Sequence, residues 1–350
     1  MDTTVHFLLD YGLFFLKSLT ILAAAILILL VVAGIKASRR HPDPHGELVI
    51  ENLNDYYDDL EDTLASEVLE KESYKAKQKS KKKAEKAKRK SDEQQEKPKL
   101  YTFDFYGDLH ASEVDDLREL VTTVLLMATP KDEVVVTLES AGGLVHTYGL
   151  AAAQLARIRD KQIPLTVSVD KVAASGGYMM ASVANKIISA PFAILGSIGV
   201  IAELPNFNKV LKNYQVEYEQ HTAGEYKRTL TMFGENTNKA REKFVRELDE
   251  THALFKSHIK QYRPQLALDE VATGEHWYGH QAIDLALCDA LQTSDDYLLS
   301  MRDKFDMFRL KFERTQSLRD KLSDLMGKCF DKVWVKLFTK IDQTEKLGTK

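Results

Sequence analysis

Ser175 is the residue of this chain best placed to act as a nucleophile. It is followed by Gly176 and Gly177, with an alternating apolar segment (residues 165–169) upstream and a run of small residues able to start a helix downstream. Glycines beside a hydroxyl let backbone N–H groups approach a substrate closely, and the start of a helix favours developing negative charge. A serine needs a base to remove its proton, and the usual one is histidine. The chain has no histidine between His146 and His221. Lysine is the alternative, and it serves as a base only when burial in apolar surroundings disfavours its ammonium form. Lys227, in Thr222-Ala223-Gly224-Glu225-Tyr226-Lys227-Arg228, follows a strand-like stretch and is the best candidate, although its local sequence alone would suit a surface charge equally well. An oxyanion hole needs two donors about 3 Å from the developing charge. Gly176 N–H is one. Gly142-Gly143, after the apolar run 133–138, either supplies the other or only makes a strand-to-helix turn.

Other reactive side chains carry less. His276 and His280 stand four apart beside Glu275, but the HExxH order is absent and Gly279 weakens a helix there, so no metal is expected. Neither a Walker loop nor a GxGxxG fingerprint occurs, and no cofactor is expected. The two cysteines, Cys288 and Cys329, sit in apolar contexts outside any CxxC pair and read as core thiols, with a disulfide between them left open.

The elements that must position Ser175 alternate between strand and helix. Residues 101–106, 133–138, 164–169, 186–189 and 193–195 read as strands, and 111–127, 146–158 and 177–184 as helices. This alternation predicts an α/β fold with mostly parallel strands and chemistry at their C-terminal ends. Residues 187–202 are apolar, but Pro191, Gly196 and Gly199 interrupt them, so they read as core strands and not as a membrane span. Further on, residues 206–213 and 240–262 look helical, the latter with Phe244, Leu248, Leu254 and Phe255 among its apolar positions. Residues 216–220 look strand-like, 274–291 a turn feeding a helix, and 306–312 a strand. Residues 318–341 carry apolar side chains at helical spacing, from Leu318 to Ile341, and predict an amphipathic helix that packs on the domain or a sister subunit, with the membrane surface as the alternative.

The ends of the chain differ from its middle. Residues 13–35 (LFFLKSLTILAAAILILLVVAGI) are about the length a helix needs to cross a bilayer, with Lys17 near one end. No small-residue cleavage site ends the run, which favours a retained single-pass anchor over a signal peptide. Lys36, Arg39 and Arg40 follow the span and, by the positive-inside rule, place what comes next in the cytoplasm. Residues 75–99 are lysine-rich and almost without apolar side chains, hence a solvated helix or linker. The organisation that follows is an anchor (1–40), a charged juxtamembrane spacer (41–99), a catalytic domain (100–295) and a C-terminal strand with an amphipathic helix (296–350). The 350 residues carry a net charge of −4, which does not suggest nucleic acid as a partner.

Three successive motifs carry a family resemblance. Asp170-Lys171-Val172-Ala173-Ala174-Ser175-Gly176-Gly177-Tyr178, Gly196-Ser197-Ile198-Gly199-Val200 and Gly224-Glu225-Tyr226-Lys227 resemble those of the signal peptide peptidase A (protease IV) family, and the single anchor with its charged spacer is most similar to the SohB branch. The resemblance covers roughly residues 100–291. It implies a ClpP/crotonase-like spiral of βαβ units, Ser175 as nucleophile and Lys227 as general base and acid of a Ser-Lys dyad. It further implies Ser197 as a hydrogen-bond partner of the lysine, Gly143 and Gly176 as the oxyanion hole, peptide substrates, and a homo-oligomeric ring with sites close to subunit boundaries. The sequence departs from the family at Glu139-Ser140-Ala141-Gly142-Gly143, where relatives often carry Asn-Ser-Pro-Gly-Gly, and at Ala286-Leu287-Cys288-Asp289. The resemblance also implies a site outside the cytoplasm, against the charge rule. The expected activity is that of a membrane-anchored serine endopeptidase acting on signal-peptide remnants or unfolded segments, with a crotonase-type acyl-CoA enzyme and a non-catalytic membrane scaffold as the rival readings.

Overall fold

Strands whose residues are apolar on both faces can only be satisfied inside a covered sheet. Strand β3 (Glu133–Ser140) has Val134, Val135, Val136 and Leu138 fully buried, and β4 (Leu165–Val169) is buried along its whole length. In the computed structural model, which describes residues 17, 46–91 and 97–313, they lie at the centre of a ten-stranded sheet. Its main row includes β1 (Glu47–Asn52), β2 (Lys99–Gly107), β6 (Lys186–Ser189), β9 (Ala290–Leu291) and β10 (Asp306–Glu313), in the order β1-β10-β2-β3-β4-β6-β9. A side row branches from β3 through β5 (Val172–Ala174) and β7 (Ile194–Gly196) to β8 (His276–Tyr278). The pairs from β10 to β9, and from β3 through β5 to β7, are parallel, whereas β7 and β8 are antiparallel. The architecture is a mixed α/β fold built on a large, mostly parallel sheet.

The helices follow from the same logic. Helix α1 (Leu53–Val68) and the lysine-rich α2 (Lys71–Ser91) precede β2, and α3 (Val114–Leu125) and α4 (Val145–Asp160) are the crossovers on either side of β3. Leu117, Leu120, Val121 and Val124 form the buried stripe of α3, at the spacing expected. Helix α5 (Gly176–Ala181) is short and entirely buried. Beyond it come α6 (Asn208–Asn213), α7 (Asn238–Tyr262), α8 (Leu268–Val271), α9 (Gly279–Ala282) and α10 (Ser294–Met301).

Several sequence expectations shift. The fold does not begin at residue 100. Leu53 is fully buried in a cluster with Leu100, Val135, Ile188, Tyr297, Leu298 and Met307. Asn54 reaches across to donate to the carbonyls of Arg302 and Phe305 and accepts from the Met307 N–H. Much of what reads as a spacer therefore belongs to the domain, because one apolar residue at the head of an acidic helix is easily lost in its composition. Leu53→Ala is expected to lower stability by about 2–5 kcal/mol in urea unfolding, as for other emptied core sites; a change near zero would return the segment to a linker. The lysine-rich part does form a helix, and α2 docks on α1 through Lys77–Glu61 (2.9 Å), Lys81–Asp58 (3.0 Å) and a Tyr74 hydroxyl donated to Asp62.

Residues 216–220 are not a strand, since no neighbouring strand offers a ladder for their backbone. In α7 the buried apolar residues are Phe255 and Ile259, while Leu254 faces out. Residues 274–291 form β8, the short α9 and β9 in place of one longer helix. Strand β10, expected to lie outside the catalytic domain, pairs with β2 inside the same sheet.

The chain divides into two compact units, Val49–Lys311 and a second made of Met1–Leu48 with Phe312–Lys350. The expected anchor, apart from Lys17, and the expected C-terminal helix lie outside the described residues. Among the described residues no helix is long and apolar enough to cross a membrane.

Candidate active site

Three parallel strands end side by side and lead into Gly142-Gly143, Ser175 and Ser197. Strand β5 lies between β3 and β7, with Ser140 opposite Ala173 and Ala174 opposite Gly196. The C-terminal end of β5 runs straight into Ser175 and then α5. The Ser175 N–H donates to the Gly196 carbonyl at 2.8 Å, so Ser197 follows directly from the residue that holds the serine backbone. Ser175 has φ 51° and ψ −118°, a left-handed conformation that costs a residue with a Cβ about 1–3 kcal/mol. Such a turn lifts the side chain out of the strand line while the helix begins beneath it. Ser175 is half-buried, and its hydroxyl has no hydrogen-bond partner among the described residues.

The oxyanion candidates meet the serine from the β3 side. Gly142 takes φ +92°, and a Cβ there would lie 2.7 Å from the Gly176 nitrogen and 2.7 Å from the Ser175 Cβ. Only glycine allows this approach. Gly143 is pressed against residue 109 on its other side, where a Cβ would fall 2.2 Å from the Leu109 carbonyl oxygen, and the next N–H, of Leu144, donates to that same oxygen at 2.9 Å. The Gly143 N–H itself has no acceptor among the described residues. The Gly176 N–H opens α5, where a helix offers no internal acceptor. The Gly142-Gly143 turn thus abuts Ser175 and the N–H that opens α5, and neither the Gly143 nor the Gly176 N–H is committed to an acceptor among the described residues.

A hydroxyl network underlies this turn, and nothing in the sequence reading pointed to it. Tyr148, on α4, is fully buried; its hydroxyl donates to the Asp108 carbonyl and lies 2.6 Å from the Ser140 hydroxyl. Ser140 in turn accepts from the Gly142 N–H at 3.0 Å. The Tyr148 ring lies against Gly176, where a Cβ would fall 2.4 Å from its Cγ. Burial pushes the Tyr148 phenol above its ordinary value, so it remains a hydroxyl and a donor. Its place on the apolar side of a helix reads as ordinary core, which is why sequence spacing could not single it out.

Ser175, Gly142, Gly176 and the Gly196-Ser197 corner are thus neighbours, and no hydrogen bond or ion pair among the described residues joins Lys227 to them. The lysine is exposed, in the segment between β7 and α7, and makes no ion pair or side-chain hydrogen bond among the described residues. Ser197 is half-buried, with no hydrogen bond to the lysine. The sequence reading called for burial of Lys227, and within one chain that burial is missing. The reason is visible around it: residues 201–236 contain no buried residue at all. This arm is held by its own contacts, among them Phe207 stacked on Phe233, Tyr218 beside Phe233, and Asn206 donating to the carbonyls of Thr231 and Gly234. It nevertheless exposes Ile201 (80%), Tyr214 (78%), Val210, Val216 and Tyr226.

Two neighbouring groups complete the description. Glu139 forms a 2.9 Å ion pair with Lys171, across the ends of β3 and β5. Cys288 is a buried free thiol whose burial pushes it up to about 11, so it does not supply a thiolate. Cys329 lies outside the described residues.

Comparison with known proteins then bears on most of the chain. Residues 6–155 match the pattern of "Peptidase family S49 N-terminal", and residues 157–307 that of "Peptidase family S49". A Buchnera aphidicola (subsp. Schlechtendalia chinensis) protein described as "Probable protease SohB" is 47% identical over 306 residues, covering 85% of this chain and 100% of that protein. A Haemophilus influenzae protein of the same description is 49% identical over 322 residues, covering 89% and 90%. Among solved structures, the 1510-N membrane-bound stomatin-specific protease aligns with a TM-score of 0.39 at 13% identity, over 66% of this chain and 99% of that one.

Proposed function

This chain belongs to peptidase family S49 and is a serine peptidase, and from that premise we propose that Ser175 and Lys227 form the catalytic dyad of a membrane-anchored endopeptidase. The observation that carries the reading is the serine turn: a residue held at positive φ, with the Gly142 backbone pressed against it and the start of α5 next to it, at the C-terminal ends of parallel strands. Ser175 Oγ attacks the peptide carbonyl as Lys227 Nζ takes its proton. The tetrahedral oxyanion is held by the N–H groups of Gly143 and Gly176, and its collapse passes the proton to the leaving amine. A water molecule then attacks the acyl-enzyme, giving its proton to Lys227, and the serine is released. Ser197, at the end of β7, is the hydroxyl that would hold the lysine.

For Lys227 to act as a base it has to leave water. The exposed apolar arm gives the means, because a second copy of the chain laid over it would bury the apolar side chains and the lysine together. The reading therefore includes a homo-oligomer, a ClpP/crotonase-like spiral for each subunit, and residues 13–35 as an anchor in the inner membrane. Substrates are then extended or unfolded peptides, including signal-peptide remnants, that reach the bilayer. The direct test is an alkyl fluorophosphonate followed by peptide mass mapping. A single adduct on Ser175 is expected, and labelling that spares Ser175 while hydrolysis stops would refute the assignment.

A further inference from the structure

The hydroxyl network beneath the serine turn reaches the Gly142 N–H and the backbone of Gly176, next to or at both donors of the proposed oxyanion hole, and is left unused by the dyad itself. Three segments distant in sequence must agree in position for two N–H groups to face one oxyanion: the turn after β3, the start of α5, and residues 107–109, which hold the turn from its other side. Tyr148 is in contact with all three. Its hydroxyl donates to the Asp108 carbonyl at 2.6 Å, which leaves its oxygen free to accept from Ser140, also at 2.6 Å. Ser140 carries the link on to the Gly142 N–H at 3.0 Å, one residue before the Gly143 donor. The face of the tyrosine ring supports Gly176, the second donor, so closely that no side chain fits between them. Ser140 is also within 3.2 Å of the Gly107 carbonyl, and a Cβ on Gly107 would lie 2.4 Å from both hydroxyl oxygens. The space around the pair is filled, so the hydroxyls have few alternative positions.

We propose that Tyr148 is a positioning residue for hydrolysis, setting the separation of the Gly143 and Gly176 N–H groups through its hydroxyl on one side and its ring on the other. The inference rests on the reading of Ser175 as nucleophile. An oxyanion hole acts only if its donors point to where charge develops, and a displacement of even 1 Å costs rate more than binding. Tyr148→Phe keeps the ring under Gly176 and removes the tie to Asp108 and Ser140. It changes neither the nucleophile nor the base.

The test measures kcat per active site, with sites counted by fluorophosphonate labelling, together with the Ki of a peptidyl boronic acid, whose tetrahedral adduct occupies the hole. For Tyr148→Phe, kcat per labelled site is expected to fall about 10- to 30-fold, with KM within about two-fold and boronate Ki raised in proportion to the loss of kcat. Ser140→Ala, which removes the acceptor of the Gly142 N–H, is expected to behave alike, and the double variant to be no worse than the poorer single one, because both cut one link. Ser140→Ala also carries the test if Tyr148→Phe does not fold. A purely structural role would lower the labelled fraction and leave kcat per labelled site unchanged; that result overturns the proposal, as does a rise in KM with boronate Ki unaltered. Ser175→Ala run in parallel separates the two levels. An active Ser175→Ala enzyme removes the dyad reading and this inference with it, whereas an inactive one beside a Tyr148→Phe enzyme of unchanged kcat removes only the role of Tyr148.

Discussion

Ser175→Ala is expected to reduce peptide hydrolysis by about 10⁴-fold or more while leaving the protein folded, because it removes the atom that forms the acyl-enzyme. Folding is expected to survive for a local reason. The serine hydroxyl has no hydrogen-bond partner among the described residues, and the contacts that fix the turn are backbone ones: its N–H to Gly196 and its carbonyl accepting from the Met179 N–H. Alanine meets the same left-handed strain at this position as serine does. The measurement is kcat/KM on an unstructured peptide, with thermal unfolding as the control. Hydrolysis within ten-fold of the parent enzyme, at unchanged stability, would mean that another group attacks the carbonyl.

Lys227→Ala is expected to cost about 10³-fold or more, and its companion Lys227→Arg nearly as much. The arginine variant separates two roles of a cation. Arginine keeps the charge but does not give up its proton in proteins, so it cannot replace a general base. Recovery of activity in Lys227→Arg would assign the lysine to charge stabilisation and end the dyad proposal. Exposure of Lys227 in the single chain adds a second signature. If copies cover the arm, hydrolysis per chain should rise with protein concentration until assembly is complete, and Ile201→Asp, on the most exposed apolar residue of the arm, should shift that rise to higher concentration. Activity per chain that is flat across dissociation would show that the lysine needs no neighbour.

Much of the sheet could be read from the sequence because its strands are short apolar runs between turn residues, a pattern that period and length identify. β3, β4 and β6 were each expected within two residues of where they lie. The serine and the glycine turns were legible for a similar reason: Gly142 and Gly176 sit where a side chain would collide, and such positions leave glycine in the sequence. What escaped reading depends on contacts made across long separations. Leu53 stands among polar residues and is apolar core only because Tyr297 and Met307 come to it. Tyr148 lies on the buried side of a helix where any large apolar residue would look the same, and its meaning comes from Asp108 and Ser140. The strand expected at residues 216–220 failed in the opposite direction, since alternation is a local property and a strand is a paired one.

The sheet also constrains how the protein is made. Strand β1 reaches the rest of the sheet only through β10, and β10 pairs with β2, so the first and last strands of the domain are neighbours. A ribosome delivers β1 and β2 early but cannot deliver the strand between them until residue 306 and beyond have emerged. Until then β2 presents an unpaired parallel edge, Asn54 lacks the carbonyls of Arg302 and Phe305, and Leu53 lacks Met307. Closure of this end of the sheet therefore waits for β10, and a chain without it has an open edge beside an uncovered apolar side chain.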